Sequence, residues 1–155
     1  MPYASAQQVI SVLDLAPHPE GGYFRETYRA AATLASGRSV CTAIFYLLEA
    51  GEHSTLHRID ADEIWHFYQG DPLLVVELVP NAPARVTTLG PSNPQHVVRA
   101  GTWFGAFPEP GGAFSLCGCT VSPGFEFAHF ELAKRNDLLA EFPLAGEHIE
   151  RLTAP

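Results

Sequence analysis

Residues 51–70 read GEHSTLHRIDADEIWHFYQG, a segment that opens and closes on glycine and carries three histidines between two apolar runs. Five residues separate Gly51 from His57, one separates His57 from Ile59, three lie between Ile59 and Glu63, and six between Glu63 and Gly70. On an extended strand, residues two apart project to the same face, so His57 and position 59 point together into any barrel that this strand helps to wall. The polar turn at 60–62 reverses the chain and returns Glu63 beside them. The spacing predicts a strand–turn–strand unit that holds an imidazole and a carboxylate inside a β-structure.

Outward from this unit, the chain keeps a strand-like character. YFRETYR (23–29), CTAIFYLLE (41–49), EIWHFYQ (63–69), PLLVVELV (72–79), ARVTTL (84–89), HVVR (96–99), TWFGAF (102–107), AFSLCGCTV (113–121) and FEFAHFEL (125–132) are apolar or alternating. Gly, Pro, Asn or Asp separates them, which is the pattern of short strands in a sandwich or barrel. The connections PNAP, GPSNPQ and PEPGG are turn signals, because Pro fixes one torsion angle and Gly and Asn tolerate positive ones. SAQQVISVL (5–13) predicts a leading helix, with a capping box from Ser5 to Gln8 and Val9, Val12 and Leu13 at helical spacing. LAKRNDLLAEF (132–142) predicts a closing helix of about three turns, and PLAGEHIERLTAP (143–155) a tail packed on the surface or on a partner. With no interdomain linker and no internal repeat, residues 1–155 read as a single domain.

Composition narrows the function. The 155 residues are 46% hydrophobic and 17% charged, enough to bury one substantial core. Nine Lys and Arg stand against seventeen Asp and Glu, a formal charge of −8 that repels a phosphate backbone, so nucleic acid is not an expected partner. No apolar run is long enough for a membrane span, and MPYASAQQVI lacks the basic-then-apolar pattern of a secretion signal, which predicts a cytoplasmic protein. Cys41, Cys117 and Cys119 are an odd number, and the latter two share one strand face; they read as buried structural thiols.

The opening segment resembles the first signature motif of the cupin superfamily: Gly, five residues, His, one residue, His, three or four residues, Glu, six residues, Gly. Every fixed position matches except the second histidine, which is Ile59. The second cupin motif, Pro, one residue, Gly, two residues, His, has its nearest counterpart in VVRAGTWF, where Arg99 replaces the proline and Phe104 the histidine. HPEGGYFRETYR (18–29), HRIDADEIWHFYQGDPL (57–73) and GCTVSPGFEFAHFELA (118–133) are similar to the fifth cupin family, a domain of unknown function. The resemblance implies an all-β fold, a double-stranded β-helix or jelly-roll barrel of the kind found in deoxysugar epimerases, with short terminal helices and usually paired as a homodimer.

Two chemistries fit such a barrel. A divalent metal (Mn, Fe, Ni or Zn) needs three or four converging ligands. Only His57 and Glu63 qualify clearly, and His53, four residues before His57 and on its face in a regular strand, is the nearest third; His66 falls on the opposite face. Without a metal, His57 beside Glu63 or Asp62 forms an acid–base pair, and by analogy with the epimerases a tyrosine is the candidate acid, Tyr23 first among Tyr23, Tyr28, Tyr46 and Tyr68. In EGGYFRET, alternation puts Tyr23, Arg25 and Thr27 on one face; if that face lines the barrel, Arg25 is a donor for a carboxylate or phosphate. Trp65, Trp103 and Phe104 are candidate walls for a ligand. His18, His96, His129 and His148 read as surface or structural. The expectation is an enzyme, isomerase-like or metal-dependent, acting on a small polar or anionic metabolite; the alternative is a non-catalytic binding or sensing protein.

Overall fold

Alternating side chains become strands wherever one face can be buried, and here they build two antiparallel sheets. The computed structural model describes residues 2–155. The leading helix α1 (Ala6–Leu13) begins where Ser5 Oγ accepts from the Gln8 N–H, while the Gln8 side chain accepts from the Ala4 N–H. It buries Val9 and leaves Val12 in solvent. After it come β1 (Ala16–Pro17), β2 (Tyr23–Arg29), β3 (Thr42–Glu49), β4 (Ser54–Ile59), β5 (Asp62–Gly70), β6 (Leu73–Glu77), β7 (Arg85–Leu89), β8 (Gln95–Val98), β9 (Phe104–Pro108), β10 (Phe114–Ser122) and β11 (Phe130–Leu132). One sheet runs β1-β2-β3-β10-β5-β8 and the other β11-β4-β9-β6-β7. The opening segment thus crosses from one sheet to the other, β4 in the second and β5 in the first.

The inner faces meet in a core of Tyr46, Leu48, Trp65, Leu73, Val75, Leu89, Val98, Phe104, Ala106, Cys117 and Cys119. Tyr46 and Leu48, Leu73 and Val75, Phe104 and Ala106, and Cys117 and Cys119 each lie two residues apart on one strand, as the period-two pattern requires. The outer face of the first sheet is partly covered by α1, which packs Ala6 and Val9 on Leu47, Phe114 and Leu116.

The C-terminal region departs from the sequence expectation. The closing helix α2 (Arg135–Glu141) has only two turns, and the segment read as a tail folds back through a 3₁₀ turn into α3 (Gly146–Arg151). The reason is apolar area: Leu56, Val76, Leu78 and Phe107 project from the outer face of the second sheet and need a cover. Ile149 and Leu152 supply it and are fully buried, and the Leu56 N–H donates to the Leu152 carbonyl at 2.8 Å. No helix among the described residues is long and apolar enough to cross a membrane.

Candidate active site

The cavity at one end of the barrel has a volume of about 280 Å³. β4 contributes His57, β5 Glu63, β3 Thr42 and Ile44, and β10 Cys119 and Val121; β2 adds Phe24 and Glu26, and Phe125 to Phe127 form a rim. His57 and Glu63 are both buried. The strand–turn–strand spacing therefore does bring the imidazole and the carboxylate to one place.

Two further residues complete the group, and both come from the turn before β2. The Gly21 N–H donates to the His18 carbonyl and the His18 N–H to the Gly22 carbonyl, a reversal in which Gly21 and Gly22 have φ of +108° and +72°. A Cβ at Gly21 would lie 2.2 Å from the His53 carbonyl oxygen, so only glycine lets the turn press against the loop before β4. The Thr55 N–H then donates to the Glu20 carbonyl at 2.8 Å. Glu20 and His18 are thereby placed in the cavity, Glu20 at 7% exposure.

The contacts fix where protons can sit. His57 Nδ1 lies 2.7 Å from the Thr55 carbonyl oxygen, which can only accept, so Nδ1 carries a hydrogen. His57 Nε2 lies 3.1 Å from Glu20 Oε2. Two unprotonated atoms at that distance repel, so the pair is stable with one proton on one of its members. His18 Nδ1 accepts from the Glu20 backbone N–H at 3.1 Å, which leaves its other nitrogen as the donor in the neutral ring.

Burial dominates the electrostatics. Desolvation pushes the Glu63 carboxyl up to about 7, against the pull of His57 and with a push from Glu20. It pushes Glu20 up to about 6, against His18. Desolvation also lowers His57 and His18 from the usual imidazole range, in each case against the pull of a glutamate. The Cys119 thiol is held well above the usual range by burial and by the Glu63 carboxylate, so it stays protonated and is not a nucleophile.

Several expected residues lie elsewhere. Tyr23 and Arg25 share a face, but it is the outer one: Tyr23 packs into the α1 cluster and Arg25 sits over the Phe45 ring, while a bulge between Glu26 and Tyr28 takes Thr27, which donates to the Ala43 carbonyl, out of the alternation and turns Tyr28 to the outer face. Phe24 and Glu26 face the cavity instead. The tyrosine inside the barrel is Tyr46, whose hydroxyl donates to the Gly21 carbonyl. His53 stands before β4 begins and belongs to a different surface depression with Glu52 and Arg151, because the register of β4 shifts between Ser54 and His57. Trp103 packs under the C-terminal helices with Arg58 over its ring. Trp65 and Phe104 are inter-sheet core, Phe104 with its ring 4.2 Å from that of His57. Asp62 is on the surface, paired with Arg99. His18 is the converse case, a residue read as structural that lines the cavity.

A metal of the superfamily type does not fit these residues. Ile59, in the place of the second histidine, packs with Ala61 and Val121, and Phe104 fills the place of the third. Among the described residues no three His, Cys, Asp or Glu side chains converge on a metal position.

Two antiparallel sheets closed around a cavity, with a histidine and a glutamate of one strand–turn–strand unit inside it, define a cupin jelly roll. Residues 7–133 match the family described as Cupin superfamily (DUF985), and the chain belongs to that family. A crystal structure of a Shewanella oneidensis protein superposes with a TM-score of 0.93 at 35% identity, covering 99% of both chains. A hypothetical protein from Leishmania major gives 0.89 at 28% identity, covering 97% of this chain and 99% of that one. Oxalate decarboxylase from Bacillus subtilis, which has Mn(II) centres, shares the fold at 16% identity and a TM-score of 0.60, covering 91% of this chain and 37% of the decarboxylase. A search of curated proteins gives no match.

Proposed function

We propose that this cupin is an acid–base enzyme that moves a proton on a small molecule bound in the barrel mouth. One observation carries the reading: two buried carboxylates, Glu20 and Glu63, flank His57 in one cavity whose guanidinium, Arg29, is already paired with Glu26. Burying such groups opposes folding, so their presence calls for a use. A carboxyl that titrates near neutrality can both take and give a proton at the working pH. In this reading Glu63 exchanges the proton with the ligand, while Glu20 and His57 hold a second proton between them and set the charge of the site. A suprafacial isomerisation, in which Glu63 takes the proton from one atom of the ligand and returns it to another on the same face, needs no more than this.

The test is to incubate the protein with metabolite mixtures in D₂O and follow deuterium incorporation and conversion by mass spectrometry. Incorporation that disappears in Glu63→Gln and His57→Gln, with circular dichroism unchanged, is the expected result. Retention of a ligand with neither exchange nor conversion would replace the enzyme reading with the binding or sensing one.

A further inference from the structure

We propose that the cavity selects a small planar cation bearing N–H donors, of the amidinium or guanidinium class, rather than a carboxylate or phosphate. This rests on the same cavity being the functional site, and it concerns binding alone. Four carboxylates line the cavity, Glu20, Glu26, Glu63 and Glu126, against one guanidinium, Arg29. That guanidinium is already engaged: its Nε and Nη2 each donate to Glu26 at 2.8 Å, and Nη2 also donates to the Phe125 carbonyl at 3.0 Å. Arg29 and Glu26 cancel, Glu20 shares a proton with His57, and Glu126 lies 3.8 Å from His129 Nε2, so Glu63 is the buried carboxylate left open to a ligand. An anion entering the cavity would meet that carboxylate and no free guanidinium.

The walls specify shape as well as charge. Ile44, Val121, Phe24, Phe125 and Phe127 are apolar, and the rings of Phe125 and Phe127 stand edge to face with centroids 5.0 Å apart. Such walls favour a flat ligand, and aromatic faces attract a cation. Ionised carboxylates only accept hydrogen bonds, so the ligand must bring the donors, and a planar fork of N–H groups matches a carboxylate in two bonds. The chain's net charge of −8 adds a long-range field of the same sign.

The experiment is a calorimetric titration with three near-isosteric probes of different charge, benzamidine (cationic), benzamide (neutral) and benzoate (anionic), at pH 8, above the value of about 7 to which burial raises Glu63. Benzamidine is expected to bind at least about tenfold more tightly than benzamide, the gain from hydrogen bonds to a charged acceptor, and benzoate not at all. Glu63→Gln, checked for native circular dichroism, is expected to weaken benzamidine by a similar factor. Benzoate or benzamide binding as tightly as benzamidine, no binding of any probe, or benzamidine binding unchanged in Glu63→Gln would overturn the proposal. The titration needs no turnover, so a protein that binds the cation but shows no deuterium exchange refutes the enzyme reading and leaves this one standing.

Discussion

Among the described residues no lysine or arginine pairs with buried Glu63, and its carboxyl is therefore a burden on the fold. It titrates at about 7 in the folded protein against an ordinary 4.5. Between those values the folded protein holds a proton that the unfolded chain has released. The stability this group contributes is fully present below the ordinary value and is lost as pH rises through 7, by on the order of 3 kcal/mol. Glutamine keeps the shape and has no charge to bury. Glu63→Gln is expected to melt several degrees above the native protein at pH 8.5 and level with it near pH 4, in thermal denaturation followed by circular dichroism. The buried histidines act in the opposite direction: His57 and His18 are lowered by burial, so their contribution is present above the ordinary imidazole range and is lost on acidification. The difference between variant and native protein isolates Glu63 from them. An equal offset at both pH values would show that Glu63 is not the group titrating.

The turn from β1 to β2 is the element that makes the site. Gly21→Ala is expected to lose on the order of 1–3 kcal/mol in denaturant unfolding, since a side chain there meets a carbonyl at a positive φ. The same change is expected to weaken ligand binding, because Glu20 and His18 move with the turn. Unchanged stability would mean that the turn is not pinned against the loop before β4. This turn also shows what the sequence could and could not convey. The spacing from His57 to Glu63 is local, so period-two reasoning placed both residues correctly. Glu20 reaches them across the barrel from another hairpin, and no local period records that. Its signal was the double glycine of HPEGG, which marks a close backbone approach without saying which neighbour is carried in. Alternation likewise grouped Tyr23 with Arg25, and Phe24 with Glu26, but could not say which face was inner, and the bulge that takes Thr27 and Tyr28 out of the pattern has no local sign. β2 is flanked by apolar residues on both sides, the barrel core and the α1 cluster, so polarity alone did not choose. The C-terminal helix was hidden for a related reason: the apolar face it covers is assembled from β4, β6 and β9, which are distant in sequence.

At the scale of the whole molecule, the outer face of the first sheet is only partly covered by α1. Tyr28, Tyr68 and Val97 on that face are 56%, 52% and 38% exposed, with half-buried Phe45 and Ile64 between them. Gly118 lies directly under the Tyr68 ring, with a hypothetical Cβ only 2.4 Å from its hydroxyl oxygen, so the ring is held flat against the sheet. A flat, aromatic, unpaired face beside the edge strand β8 is suited to a second copy of the chain, and we expect a homodimer formed through it. Charge opposes the association, because each copy carries −8. That repulsion acts over a Debye length of about 10 Å at 0.1 M salt and shortens as salt is added. Apolar burial is not screened in this way. The dimer is therefore expected to tighten between low and moderate ionic strength, the reverse of an interface held by ion pairs. Light scattering on a size-exclusion column, run across salt and protein concentration, measures this directly. Tyr68→Glu, which puts another like charge at the centre of the face, is expected to shift the population to monomer without changing the circular dichroism spectrum. A chain that is monomeric at every salt and concentration, or a dimer indifferent to Tyr68→Glu, would show that this face is not the interface.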